Sequence, residues 1–240
     1  MAKAFLSLPK KDRKRFHPFI CGFNGTDRNA ADHVRRMLQW YPGLWEGIGE
    51  VMGRHDDLTA LTYGETARAN HKGFDAVYEL AAKHDLPVTI HNNIGSVRLR
   101  EPIYLHEIDN AVGRHPKTRF IWAHSGIGRR INIPGLTDIV RQLRKKHDNL
   151  WVDLSWVVYE DYVCPGGTPS PEWVALIEEF PDRFMLGTDK VAKFGNLHEE
   201  IQKYYSLLDA LKPETAKLFA RENFLRVLPK RVRKRLGITR

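Results

Sequence analysis

Three short apolar runs in this chain end abruptly in a histidine or an aspartate. They are Pro87-Val-Thr-Ile-His-Asn-Asn93, Arg119-Phe-Ile-Trp-Ala-His-Ser-Gly126 and Arg183-Phe-Met-Leu-Gly-Thr-Asp189. Each is too short for a helix and rich in bulky or β-branched side chains, as expected of a parallel strand buried on both faces. In a (β/α) barrel the residue just past such a run lies at the carboxyl end of its strand, where that fold does chemistry. His91, His124 and Asp189 hold those places. Two imidazoles and a carboxylate at three strand ends make a metal-ligand set.

Strand-like and helix-like patterns alternate along the rest of the chain at intervals of roughly thirty residues, the length of a βαβ step. Residues 16–23 and 44–51 read as the first two strands, and 149–155 as the fifth. Helical spacing fills the intervals. Thr26 or Asp27 caps a helix through Ala31, Val34, Met37, Leu38 and Trp40, and residues 71–84 form the next. Others carry Ile103, Ile108, Ala111 and Val112, then Leu136, Ile139, Val140 and Leu143. Pro171 opens one more, and two near 197–211 and 214–228 close the chain. The polar stretches 52–70 and 157–170 are expected to be loops that shape a site.

Six strands alternating with helices predict a parallel sheet with helices outside it. No strand is followed by a dinucleotide-binding Gly-rich turn or a P-loop, which favours a TIM-type (β/α) barrel over a Rossmann fold. A full barrel has eight strands, so this one is expected to be incomplete at its N-terminal end.

Composition removes several classes. Apolar residues make up 42% and charged residues 28%, as in ordinary folded domains. No apolar run reaches the roughly 18 residues that cross a bilayer, and the first apolar stretch is too short for a secretory leader. The expected location is the cytoplasm, with no membrane partner. Cys21 and Cys164 are expected as reduced thiols. The formal charge of +9 invites a nucleic-acid partner. Much of the excess, however, lies from Lys10 to Arg15 and from Lys230 onward, where solvated tails are the commoner outcome. No nucleic-acid motif accompanies it, which argues against that partner. The expected organisation is a basic segment over 1–15, a barrel domain over 16–229 and a basic tail over 230–240.

A single histidine after a strand is more often a satisfied core residue than a ligand; three equivalent positions in successive units turn the argument toward a metal. Asp189 reads as a ligand, as a base that takes a proton from water, or as a helix cap. Glu50, ending Gly47-Ile-Gly-Glu50, reads equally as a ligating carboxylate or a solvated acid. Asp153, between Val152 and Leu154, reads as a buried structural partner. His17, His55, His106, His115, His147 and His198 read as surface residues.

Taken in order, Val88-Thr-Ile-His-Asn92, Phe120-Ile-Trp-Ala-His-Ser-Gly126, Leu150-Trp-Val-Asp-Leu-Ser155 and Asp182-Arg-Phe-Met-Leu-Gly-Thr-Asp189, closed by Arg221-Glu-Asn-Phe-Leu-Arg-Val-Leu228, resemble the amidohydrolase superfamily. The likeness is to its amidohydrolase-related branch of metal-dependent hydrolases and decarboxylases, and it implies a distorted TIM barrel. By that resemblance His91 is the fifth-strand metal ligand and Asp189 the eighth-strand ligand or base. His124 is the sixth-strand histidine, which binds a second metal or serves as acid or base. Glu50 falls where some members place a bridging or ligating carboxylate. Members also carry a His-x-His pair on the first strand, and this chain has none. Its six strands then correspond to the third through the eighth, as in a fragment, a mis-started reading frame or a truncated homologue. An exposed barrel edge would favour a homodimer.

The expected function is a metal-dependent hydrolase acting on a small molecule. Water activated by a divalent ion, zinc being the expected one, attacks an amide, ester or lactone carbonyl. The alternatives are a decarboxylase of the same fold, with His124 donating the proton, and a truncated homologue without catalysis.

Overall fold

The computed structural model of the chain describes residues 1–56, 58, 66–192 and 194–238. Six parallel strands lie side by side in sequence order. They are β1 (Phe19–Ile20), β2 (Gly47–Met52), β3 (Val88–His91), β4 (Phe120–Trp122), β5 (Leu150–Asp153) and β6 (Phe184–Met185). All six expected strands are present, though shorter. The first contracts from residues 16–23 to two, since Pro18 before it has no N–H to donate and Gly22 after it turns left-handed at φ 85°.

Helices α3 (Ala30–Trp40), α4 (Lys72–Lys83), α5 (Leu105–Arg114), α6 (Leu136–Lys146) and α8 (Pro171–Glu179) return the chain between strands, with the one-turn α7 (Trp156–Val158) after β5. The expected loop over 157–170 is therefore mostly helical turn: α7 runs into a π-helical turn, Tyr159–Val163, and a 3-10 turn, Pro165–Gly167. Most of the expected loop over 52–70 lies outside the described residues. The two long closing helices are broken into α9 (Leu197–Gln202), α10 (Tyr205–Ala210), α11 (Pro213–Lys217) and α12 (Asn223–Val227). Helices α1 (Ala2–Ser7) and α2 (Lys10–Arg13) precede the sheet, and α13 (Lys230–Arg235) follows it. The last helix is held because Val232 is buried with Leu225 and Leu228, an apolar anchor that the run of charges conceals. No helix among the described residues is long and apolar enough to cross a membrane.

The strands alternate, and the alternation builds two cores. Ile48, Val88, Ile90, Phe120, Trp122 and Val152 face the helices and join Val34, Phe74, Ile108, Val140 and Leu176. The intervening positions Phe19, Ile121, Trp151 and Met185 pack instead on Phe224 and Val227 of α12. The closing helix thus plugs the concave face of the sheet from its N-terminal end.

Closure is incomplete, as expected. Among the described residues β1 pairs only with β2, and β6 only with β5. Beyond β6 the chain covers the edge with a helical turn, where Leu186 N–H donates to the Phe219 carbonyl at 3.0 Å. Covering an edge this way removes a template for mispairing.

Candidate metal centre

The carboxyl ends of β2, β3 and β4, with the segment after β6, bring Glu50, His91, His124 and Asp189 together. Glu50 owes its aim to an irregularity in β2. The register with β3 advances three residues, from Ile48 to Val51, while β3 advances two. Such a bulge re-aims a side chain. It falls at Gly49, whose φ is 133° and where a Cβ would lie 2.5 Å from the Thr89 carbonyl oxygen, so only glycine fits. The Glu50 carboxylate then reaches His91 Nδ1 at 3.0 Å and His124 Nε2 at 3.7 Å. Asp189 Oδ2 stands 3.9 Å from His124 Nε2 on the other side.

On its other nitrogen, Nε2, the His91 ring has Asn93 Nδ2 as neighbour at 3.1 Å. Asn92 and Asn93, following it, bind the chain after β2. Asn92 Oδ1 accepts the backbone N–H groups of Arg54 and Ala69, and Asn93 Oδ1 accepts that of Asp56. His124 Nδ1 is 2.7 Å from Ser155 Oγ, which leaves Nε2 for the two carboxylates. The backbone there is held in a sparsely populated state: His124 and Ser125 have φ of 54° and 50°, and Asp189 has 47°. Left-handed conformations in non-glycine residues cluster at functional sites, where surrounding structure enforces them.

The charges are mutually set. Burial would raise the Glu50 carboxyl, but the His124 and His91 imidazoles outweigh it and hold it at about 2. Burial would lower His124, yet Glu50, Asp153 and Asp189 together raise it above the ordinary value. Asp189 is raised, first by burial and then by the neighbouring negative charges of Glu50 and Asp153. Asp153 accepts the Ser155 N–H at 2.7 Å, in keeping with a structural partner, and its carboxylate fills the space beside Gly187. Tyr204 Oη lies 2.9 Å from the Leu154 carbonyl and 2.6 Å from that of Gly187, and so ties the end of β5 to the segment carrying Asp189.

Three donor atoms, from Glu50, His91 and His124, lie within 4.8 Å of one another. An ionised carboxylate with two imidazoles suits a zinc-like divalent ion, so the residues present fit one. Asp189 stands next to that trio without completing it.

Sequence reasoning missed other residues. His55, expected at the surface, is buried with its ring stacked on His91 at 4.2 Å between centroids. Trp156 stands 5.2 Å from the His124 ring, with the Arg129 guanidinium 4.8 Å from its own ring centre. Nothing in the pattern around either residue marks it, since both follow polar or strand-end positions without period. His115 and His147 are also buried, contrary to expectation, each with an aspartate, Asp75 and Asp109. His17 is half-buried against Glu46, whereas His106 and His198 are exposed as expected. A cavity of about 370 Å³ opens beside Asp189, bounded by Trp156, Tyr159, Arg129, Lys190 and Lys203.

A parallel, incompletely closed sheet with such a cluster at its strand ends is the architecture of an incomplete TIM-type barrel. The amidohydrolase family profile matches residues 13–230, and the chain belongs to that family. Among solved structures, it is similar to an uncharacterised TIM-barrel protein from Bordetella bronchiseptica. That match has 16% identity and a TM-score of 0.56, and covers 88% of this chain and 66% of the other. It is also similar to an amidohydrolase from Burkholderia multivorans with bound HEPES (15% identity, TM-score 0.55, 95% of this chain and 79% of the other). A third is 2,6-dihydroxybenzoate decarboxylase in complex with 2,6-dihydroxybenzoate (15% identity, TM-score 0.55, 94% and 75%). At these identities the likeness is one of fold, and the chain spans about two thirds of the Bordetella protein's length. No curated protein matches the chain.

Proposed function

We propose that the chain is a metal-dependent hydrolase of small molecules that cleaves an amide, ester or lactone bond, with Glu50, His91 and His124 as ligands of a divalent ion, zinc for preference. The observation that carries this reading is the Glu50 carboxylate set between two imidazoles, 3.0 and 3.7 Å away. Such an ion supplies Lewis acidity and lowers the pKa of water toward neutrality. Asp189, with its raised carboxyl, accepts the proton of the attacking water at Oδ2 and stands at the mouth of the adjoining cavity. As the carbonyl–heteroatom bond breaks, the leaving group takes a proton from this cluster. Ser155 fixes the His124 ring so that Nε2 faces the cluster, and His55 and Trp156 shield it from bulk water.

The test is metal analysis of the purified chain beside His91→Ala, followed by assays on lactones and aromatic carboxylates. Equal metal content in both proteins rejects the ligand assignment. The second reading, decarboxylation with His124 as proton donor, draws support from the raised pKa of that imidazole. Turnover of aromatic carboxylates but not of lactones would favour it.

A further inference from the structure

We infer that the pole of the sheet opposite the candidate metal centre is a docking surface for an anionic lipid bilayer. The excess positive charge of the chain lies in two stretches that meet there. Ten of the 38 Lys and Arg, and one of the 29 acids, lie in residues 10–15 and 230–235, and the remaining chain holds 28 of each. The whole formal charge of +9 therefore resides in two stretches of six residues at opposite ends of the sequence.

The fold joins these stretches. The buried Glu46, just before β2, lies 2.5 Å from His17 Nδ1, which follows the first run, and 2.8 Å from Arg235 Nη2 in the second. Arg231 donates to the carbonyls of Gly43 and Trp45, and Arg13 to those of Leu6 and Leu8. The bonds of Arg231 and Arg235 hold the second run against the segment that enters β2, and His17 brings the end of the first run to the same Glu46, while the Arg13 bonds brace the first run on α1. The remaining cations point to a partner outside the chain. The side chains of Lys10, Lys11, Lys14, Arg15, Lys230 and Lys234 are exposed, and none forms an ion pair among the described residues, although the Lys230 backbone N–H donates to Asp85 Oδ2 at 2.6 Å.

Exposed apolar side chains stand among them. Leu6, Phe16 and Trp40 are 43%, 53% and 63% exposed. Trp40 shares a groove with Lys3 and with Trp45, whose carbonyl takes the Arg231 bond. A phosphodiester backbone would use the cations alone. An anionic bilayer uses both, because lysine and arginine meet the headgroups while leucine and aromatic rings sit at the acyl boundary. Docking of this kind is peripheral and leaves the carboxyl ends of the strands, with Glu50 and Asp189, facing away from the surface.

Vesicle flotation of the full chain tests the inference. Vesicles of phosphatidylcholine with about a third phosphatidylserine should carry the protein at low salt, phosphatidylcholine alone should not, and about 0.5 M salt should release it. Lys230→Gln with Lys234→Gln should weaken partitioning about thirty-fold at unchanged helix content. Trp40→Ser should weaken it while leaving the salt dependence as it was. Equal binding to both vesicle types, or no binding to anionic vesicles at low salt, overturns the inference. Salt-sensitive retention on duplex DNA without vesicle binding would assign the pole to nucleic acid instead.

Discussion

Glu50 and His91 are 41 residues apart in the chain and 3.0 Å apart in space, joined carboxylate oxygen to Nδ1. That contact turns two strand ends into one site, and it makes the occupancy of the site measurable. Zinc at a hundred times its dissociation constant should stabilise the chain by about 2.7 kcal/mol, and a chelator should remove the gain. In Glu50→Gln the zinc-dependent rise in melting temperature should vanish. Persistence of the full shift would mean that the ion binds elsewhere.

Ser155 touches His124 and not the trio as a whole. Groups that orient a ligand usually matter ten- to a hundred-fold for metal affinity, so Ser155→Ala should weaken zinc binding within that range and leave the fold intact. Competition with a chromophoric chelator reads this directly; unchanged affinity would show that the His124 ring is fixed by other means.

Asn92 is fully buried and its amide joins the chain after β2 to Glu107. Asn92→Ala strands two backbone N–H groups, and each lost buried partner costs about 1–3 kcal/mol. Urea unfolding should show a loss of a few kcal/mol, and Asn92→Asp should not recover it, because its carboxylate would face that of Glu107 where the amide now donates.

Acid sensitivity should trace in part to Glu46. Burial alone would raise its carboxyl, but His17 and Arg235 lower it below the ordinary 4.5. The unfolded chain therefore takes up the proton first. The stabilisation is complete above the unfolded value and is lost as pH falls through the folded one. Unfolding free energy measured from neutral pH down to the carboxylate range should fall less steeply in Glu46→Gln than in the wild type. Parallel curves would refute the assignment.

Asp189→Asn keeps the size and removes the base. Turnover of whichever substrate class proves active should drop by about two to four orders of magnitude, with the melting temperature nearly unchanged.

Much of this arrangement can be read from the chain itself. Strand ends at His91 and His124 follow from apolar runs broken by a polar residue, and the parallel sheet follows from alternation with helices. Glu50 could not be assigned that way, because its direction depends on a bulge at Gly49 that alternation does not register. His55 escaped for a related reason: its place over His91 depends on the turn that Asn92 and Asn93 fix across the sheet, a contact between segments rather than a pattern within one. The chain ends misled for the opposite cause. A run of cations looks solvated, and the scattered Val232, Leu236 and Ile238 that anchor it carry little weight in a sequence window.

The plug of α12 has a consequence for biosynthesis. Phe224 and Val227 fill the hollow lined by Phe19, Ile121 and Met185, yet they leave the ribosome after every strand has been made. Until they emerge, the nascent sheet exposes its concave apolar side. The inner face of the sheet is therefore closed only late in synthesis, once α12 has been made.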